Sequence, residues 1–270
     1  MTTNRLHAAL LALMTMLPVT ALDPAVAQDM MAHVDLGSPA FSKAEMTRAE
    51  IETALSRLKP GETLDLSAKA LNGLDLAGLD LTRTKLQSAR LNGTSLKGAK
   101  LDGVVLDQAW ALKADLSGAS LKGASLFMTQ LHDAKMSGAD LSGARVAADM
   151  TRADLTKASF AGANLSADMT NQSMGLMRGV LSSANLAGAV FKNANMARVM
   201  MEYADLSGAD LSGADLSGSE LGGARFNQAN VAGANFTGAD VNSARLTGLR
   251  NAGEAKGLAD AKNIDRAFRE

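Results

Sequence analysis

From Leu66 onward a large apolar residue returns at every fifth position: Leu71, Leu76, Leu81, Leu86, Leu91, Leu96, Leu101 and Leu106. The series continues from Leu116 to Val146 and again from Leu186 to Leu246. Two positions before each sits a small residue, as in Ala139-Asp140-Leu141-Ser142-Gly143. A period of five fits neither a helix nor the two-residue alternation of a long strand. Within one repeat, however, the small and large residues are two apart, so a short extended segment points both to one side. The remaining positions, Asp or Asn, then Ser or Lys, then Gly, face outward and turn the chain. A segment this short buries its apolar side only by coiling and stacking, so that successive turns share one core.

Composition agrees with a narrow core. Hydrophobic residues make up 47% of the chain but aromatic residues only 3%, so Leu, Ala, Met and Val carry the apolar content. There is no cysteine, which excludes disulfides and thiolate metal sites. The pattern resembles the pentapeptide-repeat family, whose consensus is A-(D/N)-L-x-x, over residues 64–250. That resemblance implies an all-β solenoid, a right-handed quadrilateral β-helix. With about 20 residues per coil it gives roughly nine coils, about 43 Å tall at ordinary strand spacing. Each central Leu then contributes roughly 1.5–3 kcal/mol by burial against its neighbours above and below.

The chain divides accordingly. Residues 1–27 read as a signal peptide: Arg5 is the n-region charge, Leu6 to Leu17 the apolar stretch, and Ala25-Val26-Ala27 the cleavage site. Residues 28–41 read as a flexible mature N-terminus. Residues 42–61 read as a capping α-helix, with Ser42 to Glu45 as capping box, Phe41 and Met46 as hydrophobic staple, and Lys59-Pro60-Gly61 as stop. The repeats occupy 62–250, with bulky Leu74 and Leu79 widening the start. Residues 251–270 read as a partly helical C-terminal cap built on Leu258, Ile264 and Phe268. No second stretch is long and apolar enough to span a membrane.

Three steps break the register. Val146 to Met150 is four residues, Leu165 to Met169 is four, and Met174 to Leu181 is seven, so the frame is restored at Leu186. With four repeats per coil, Ala148 to Thr151 stacks on Ala167 to Thr170, and the seven-residue step bulges from another face.

On such a rod the informative residues are apolar ones at outward positions. Trp110, Leu112 and Phe127 fall there, with His132, around one corner and face; beside them Ala111 takes the place of the usual large core residue. Either Trp110 or Leu112 tilts in to fill that gap, or the group is a docking surface for a protein. A second group is Met177, Val180, Met200 and Tyr203, around the bulge.

Chemistry is sparse. His132 with stacked Asp149 and Asp168 is the best titratable cluster, and Met30, Met31 and His33 are the residues suited to soft copper. Neither forms a catalytic set, and no cofactor motif is present. The best-known activity of the resembled family is DNA mimicry that protects gyrase, which needs an acidic rod in the cytoplasm. Here acidic and basic side chains over residues 64–250 balance to within one, and the N-terminus reads as an export signal. Both points speak against a role on DNA. The expectation is a non-enzymatic structural or protein-interaction scaffold of the cell envelope, periplasmic or secreted, with an unidentified protein partner. A small-ligand or copper-binding module is the alternative. The mature protein should begin at Gln28; an intact Met1 on a cytoplasmic product in mass spectrometry would contradict this.

Overall fold

The computed structural model describes residues 35–170 and 177–269. The expected signal peptide and the first residues of the mature chain lie outside them. Among the described residues no helix is long and apolar enough to cross a membrane.

The repeats wind into a four-sided β-helix in which each short strand pairs in parallel with the one a full turn on. The first face runs Asp65, Lys85, Val105, Ser125, Arg145, Asn164, Asn195, Asp215 and Asn235, which makes nine turns. The second face carries Ala70, Arg90, Trp110, Gln130, Asp149, Val180, Met200, Glu220 and Asp240. The third starts at Asp75 and Ser95, the fourth at Asp80 and Lys100. Regular pairs are twenty positions apart, as in Asp115 with Lys135, which is the coil length the resemblance implied.

One repeat explains the wall. Leu141 is fully buried, and Ala139 and Ala144 close the corners on either side. The Ala144 N–H donates to the Leu141 carbonyl at 3.0 Å, and Gly143 sits at φ 67°, as the third residue of a type II turn requires. The Asp140 carboxylate accepts the Ser142 N–H at 3.0 Å and its hydroxyl at 2.5 Å. The recurring Asp-Leu-Ser is therefore a side-chain turn that fixes the strand exit. Where Thr or Ser replaces the small Ala, its buried hydroxyl donates to a backbone carbonyl: Thr94 to Leu71, Thr129 to Leu106, Ser219 to Leu216. The few core rings also stack between turns, Phe160 on Phe191 at 4.9 Å with planes 8° apart.

The start of the rod differs from expectation. The first helix, α1, is Pro39–Ser42, and the second, α2, is Arg48–Ser56. The capping box belongs to Thr47 and Glu50, not to Ser42 and Glu45. Ser42 instead donates to the Ser38 carbonyl, and Glu45 pairs with Lys69 at 2.9 Å. Residues 43–46 stay out of the helix because they border the first turn: Ala44 bridges Leu71 antiparallel, and the Glu45 N–H donates to the Ala70 carbonyl. Arg48 then donates to the carbonyls of Asp75 and Ala77. Ile51 of α2 is buried in the common core, with Met46, Leu55, Leu64, Leu74 and Leu79 packed around it.

At the other end the ladder continues. Lys256 pairs with Asn235, Lys262 with Asp240 and Phe268 with Arg245. The segment read as a partly helical cap is thus a further turn with six-residue steps, the extra length taken up by 3₁₀ turns at Ala252–Glu254 and Ile264–Arg266.

Leu141→Asp should abolish cooperative folding, because a buried unpaired charge costs several kcal/mol or more and adjacent turns depend on each other. Gly143→Ser should cost only about 1 kcal/mol, the strain of a left-handed residue, since Lys113, Met128 and Tyr203 already hold that conformation. Thermal melts of the two variants separate these outcomes; a Leu141 variant melting like the parent would contradict the inward assignment.

Candidate functional site: the second face

On the third face the middle of each strand is mostly polar, as in Asp115, Asp154 and Asp205, each accepting a turn N–H two residues on. The second face departs from this rule with Trp110, Val180 and Met200. Both extra segments of the chain, the one before α2 and the one after Leu165, return to the rod at this face.

Trp110 stays in the outward row, bridged between Arg90 and Gln130. It does not tilt in beside Ala111, which remains buried. Its ring meets the edge of Phe41, with centroids 5.0 Å apart and planes at 67°. A short amide ladder holds the Phe41 segment in place. Asn72 donates to the carbonyls of Ala40 and Lys43 at 3.1 and 3.0 Å, and Asn92 donates to that of Phe41 at 3.3 Å. Asn72 Oδ1 in turn accepts the Asn92 N–H, and Asn92 Oδ1 accepts the Leu112 N–H, so Leu112 ends the ladder. The sequence reading assigned Phe41 to a staple with Met46 and so missed its pairing with Trp110; no local signal links the two.

Phe127 and His132 flank the same face. The Arg145 guanidinium lies 4.2 Å above the Phe127 ring. His132 Nε2 lies 2.9 Å from Asp149 Oδ2, and Asp149 Oδ1 accepts the Thr151 hydroxyl at 2.6 Å. The expected stack of Asp168 on Asp149 does not form. The strand following Asp149 on this face is Val180, and Asp168 turns to Arg145 at 3.5 Å. Among the described residues no group of three His, Asp or Glu side chains is placed to hold a metal ion. Met30, Met31 and His33 lie outside those residues.

The register slips belong to one corner, between the first and second faces. The step from Arg145 to Asp149 is four residues. The next turn goes from Asn164 to Val180, sixteen positions in place of five. The wall continues to Ala167, whose N–H donates to the Ala197 carbonyl one turn on, and Met169 is exposed rather than central. The neck of the excursion is closed by the Asp168 N–H donating to the Met177 carbonyl at 2.7 Å and the Gly179 N–H to that of Leu165 at 2.9 Å. A Cβ on Gly179 would stand 3.1 Å from the Leu165 oxygen and 3.2 Å from that of Val146, so a side chain there would press on both backbone oxygens of the neck. The seven-residue step expected from Met174 to Leu181 begins on residues that lie outside the described ones; counting alone had no means of seeing the neck between Leu165 and Gly179.

Beyond the neck lies the second group. Met177 closes the excursion, and Val180 and Met200 follow one another on successive turns, half-buried. Arg178, only 9% exposed, spans two turns to reach Glu220 at 2.8 Å. Tyr203 is 71% exposed, and its ring lies over Gly223, where a Cβ would meet it at 2.6 Å.

The pentapeptide-repeat family profile matches eight copies over residues 70–103, 113–143, 146–167, 180–213 and 209–248. The chain belongs to this family. Its fold is the right-handed quadrilateral β-helix, and its members are generally structural or interaction proteins rather than enzymes. No curated protein sequence matches the chain. Among solved structures it is similar to HetL, a pentapeptide repeat protein involved in heterocyst differentiation regulation from the cyanobacterium Nostoc sp. strain PCC 7120. That likeness is 26% identity over 83% of this chain and 99% of HetL, with a TM-score of 0.34. It is also similar to QnrB1, a plasmid-mediated fluoroquinolone resistance protein, at 17% identity over 77% of this chain and 91% of that one, TM-score 0.46. A pentapeptide repeat protein of the Arabidopsis thaliana thylakoid lumen matches at 26% identity over 42% of this chain and 65% of its own, TM-score 0.26.

Turn bonds also set the charge state of the walls. Burial works to raise the Asp149 carboxyl, but hydrogen bonds from His132 and Thr151 outweigh it and hold the group below the ordinary carboxylate range. Asp140 and Asp205 follow the same balance, with Ser142 and Ser207 as donors. The exposed Asp65 and Asp168 are lowered first by the hydroxyls of Ser67 and Thr170. A carboxylate depressed in the fold stabilises it above an unfolded value of about 3.9, and that stability is lost as the pH falls through the folded value. The melting temperature should therefore be level from about pH 7 to 5 and decline below about pH 4; a level profile through the acid range would contradict the assignment.

Proposed function

We propose that this protein is a non-enzymatic interaction scaffold of the cell envelope, and that it presents its second face to a protein partner. The observation that carries the reading is Val180 and Met200 stacked on successive strands of this face, with Tyr203 exposed in the turn beyond, while the turn of Met200 carries Asp205, Asp210 and Asp215 on its other three faces. Apolar and aromatic side chains anchor interfaces, whereas a merely solvated wall has no use for them. The stacked turns behind them give a backing whose shape does not adjust on binding. The only pairing of a histidine with a carboxylate among the described residues, His132 with Asp149, lies within one corner, where the Thr151 hydroxyl donates to the same carboxylate. In this reading α2 is an N-terminal cap, with Arg48 occupying edge carbonyls that would otherwise invite another strand. Export, read from residues 1–27, places the scaffold in the periplasm or outside the cell. A gyrase-type role is not favoured, because the rod is close to neutral.

The test is affinity capture from an envelope fraction with the parent and with Met200→Ser combined with Tyr203→Ser. The pair should melt within about 1 kcal/mol of the parent, as surface changes do. It should lose a stoichiometric partner that the parent retains. Equal recovery by both forms would remove this face from the interface.

A further inference from the structure

Trp110 is outward-facing, yet its ring is occupied by the chain itself. The covering segment is short and its attachment is modular. It contributes one aromatic side chain, Phe41, against the Trp110 ring. It offers three backbone carbonyls, of Ala40, Phe41 and Lys43, to the amides of Asn72 and Asn92. It ends in one antiparallel bridge, Ala44 to Leu71. Besides the Phe41 ring, the Glu45 side chain of the strap meets the rod, at Lys69; the bonds to Asn72, Asn92 and Leu71 are made by its backbone. The groove thus holds the helical turn α1 by its carbonyls, through the amides of Asn72 and Asn92, and takes its selectivity from the ring on Trp110. The segment joins α2 through Met46 and Thr47, so it lifts without unfolding the helix, whose cap is made locally by Thr47 and Glu50.

We propose that residues 38–45 are a latch over a peptide-docking groove. When the latch lifts, the groove accepts a short protein segment that presents an aromatic side chain from a single helical turn, as α1 does. This deepens the scaffold reading above and rests on it for its biological meaning, but the latch itself is testable without any partner.

Trp110 is the only tryptophan in the chain, so its fluorescence reports on this groove alone. The test uses the full chain with Phe41→Ala and, separately, Asn92→Asp. The second change keeps an acceptor for the Leu112 N–H and removes the donor to the Phe41 carbonyl. The probe is a synthetic peptide of residues 37–46. Both variants should retain the parent circular dichroism while Trp110 emission shifts to the red and acrylamide quenching rises. The peptide should reverse the change saturably in the Phe41 variant, and the same peptide with alanine for its phenylalanine should bind about tenfold or more weakly, as expected for loss of an anchor. The parent chain, with its latch in place, should bind the peptide more weakly than the variant.

Trp110 remaining shielded in both variants would overturn the latch. So would exposure that the peptide fails to reverse, or equal peptide affinity for parent and variant. If the Phe41 variant does not fold, the Asn92 variant carries the same readings. Parent chains that shield Trp110 only as a dimer would place the strap on a neighbouring copy and overturn a latch acting within one chain. Failure to capture an envelope partner would count against the scaffold reading and leave the peptide result standing.

Discussion

Everything in this molecule depends on the pairing of each turn with the next. A five-residue repeat contributes one buried Leu, one small residue and a few backbone groups, far too little to hold its own shape. Stacking turns the same residues into a continuous core and a hydrogen-bonded wall. Leu121 donates its N–H to the Asp140 carbonyl one turn on, and the Asp140 N–H returns to Ala119. Because every rung takes the same form, the outward positions are relieved of structural duty beyond the turn. That is where departures from the repeat become visible.

Those departures concentrate on one face. The strap before α2 and the excursion after Leu165 come from the start and the middle of the rod's sequence, yet both return to the wall beside the second face. Each brings its own fastening: amides from Asn72 and Asn92 in the first case, the Gly179 neck and the Arg178–Glu220 pair in the second. The third and fourth faces, by contrast, repeat Asp, Ser and Asn turns with few interruptions. A rod with one decorated side and plainer neighbours is organised for lateral contact, with affinity arising from few anchors on a preformed surface.

The repeat was fully legible in the sequence because period and spacing are local: Leu141, Ala139 and Gly143 fall where a five-residue frame puts them. The helix start was not. Ser42 to Glu45 and Thr47 to Glu50 carry the same capping signature, and the choice is made by tertiary pairing, since residues 44 and 45 are claimed by the edge at Ala70 and Leu71. The slips were legible as slips but not as geometry. Counting placed Asp168 on Asp149, whereas Val180 is the strand that pairs there, and the chain rejoins the wall at Gly179, crowded by the backbone oxygens of Leu165 and Val146. Trp110 was rightly singled out as outward, but its partner Phe41 is too distant in sequence for any pattern to connect them.

The central claim is that the second face, and not the rod as a whole, carries the function. Hydroxyl-radical footprinting of the purified protein before and after incubation with a solubilised envelope fraction tests it most directly. Met200 and Tyr203 report the second face, while Val105, Phe268 and Val190 report the first, third and fourth. The account predicts protection of Met200 and Tyr203 with the other three unchanged. Protection at Val105, Phe268 or Val190 while Met200 and Tyr203 remain fully reactive would contradict it.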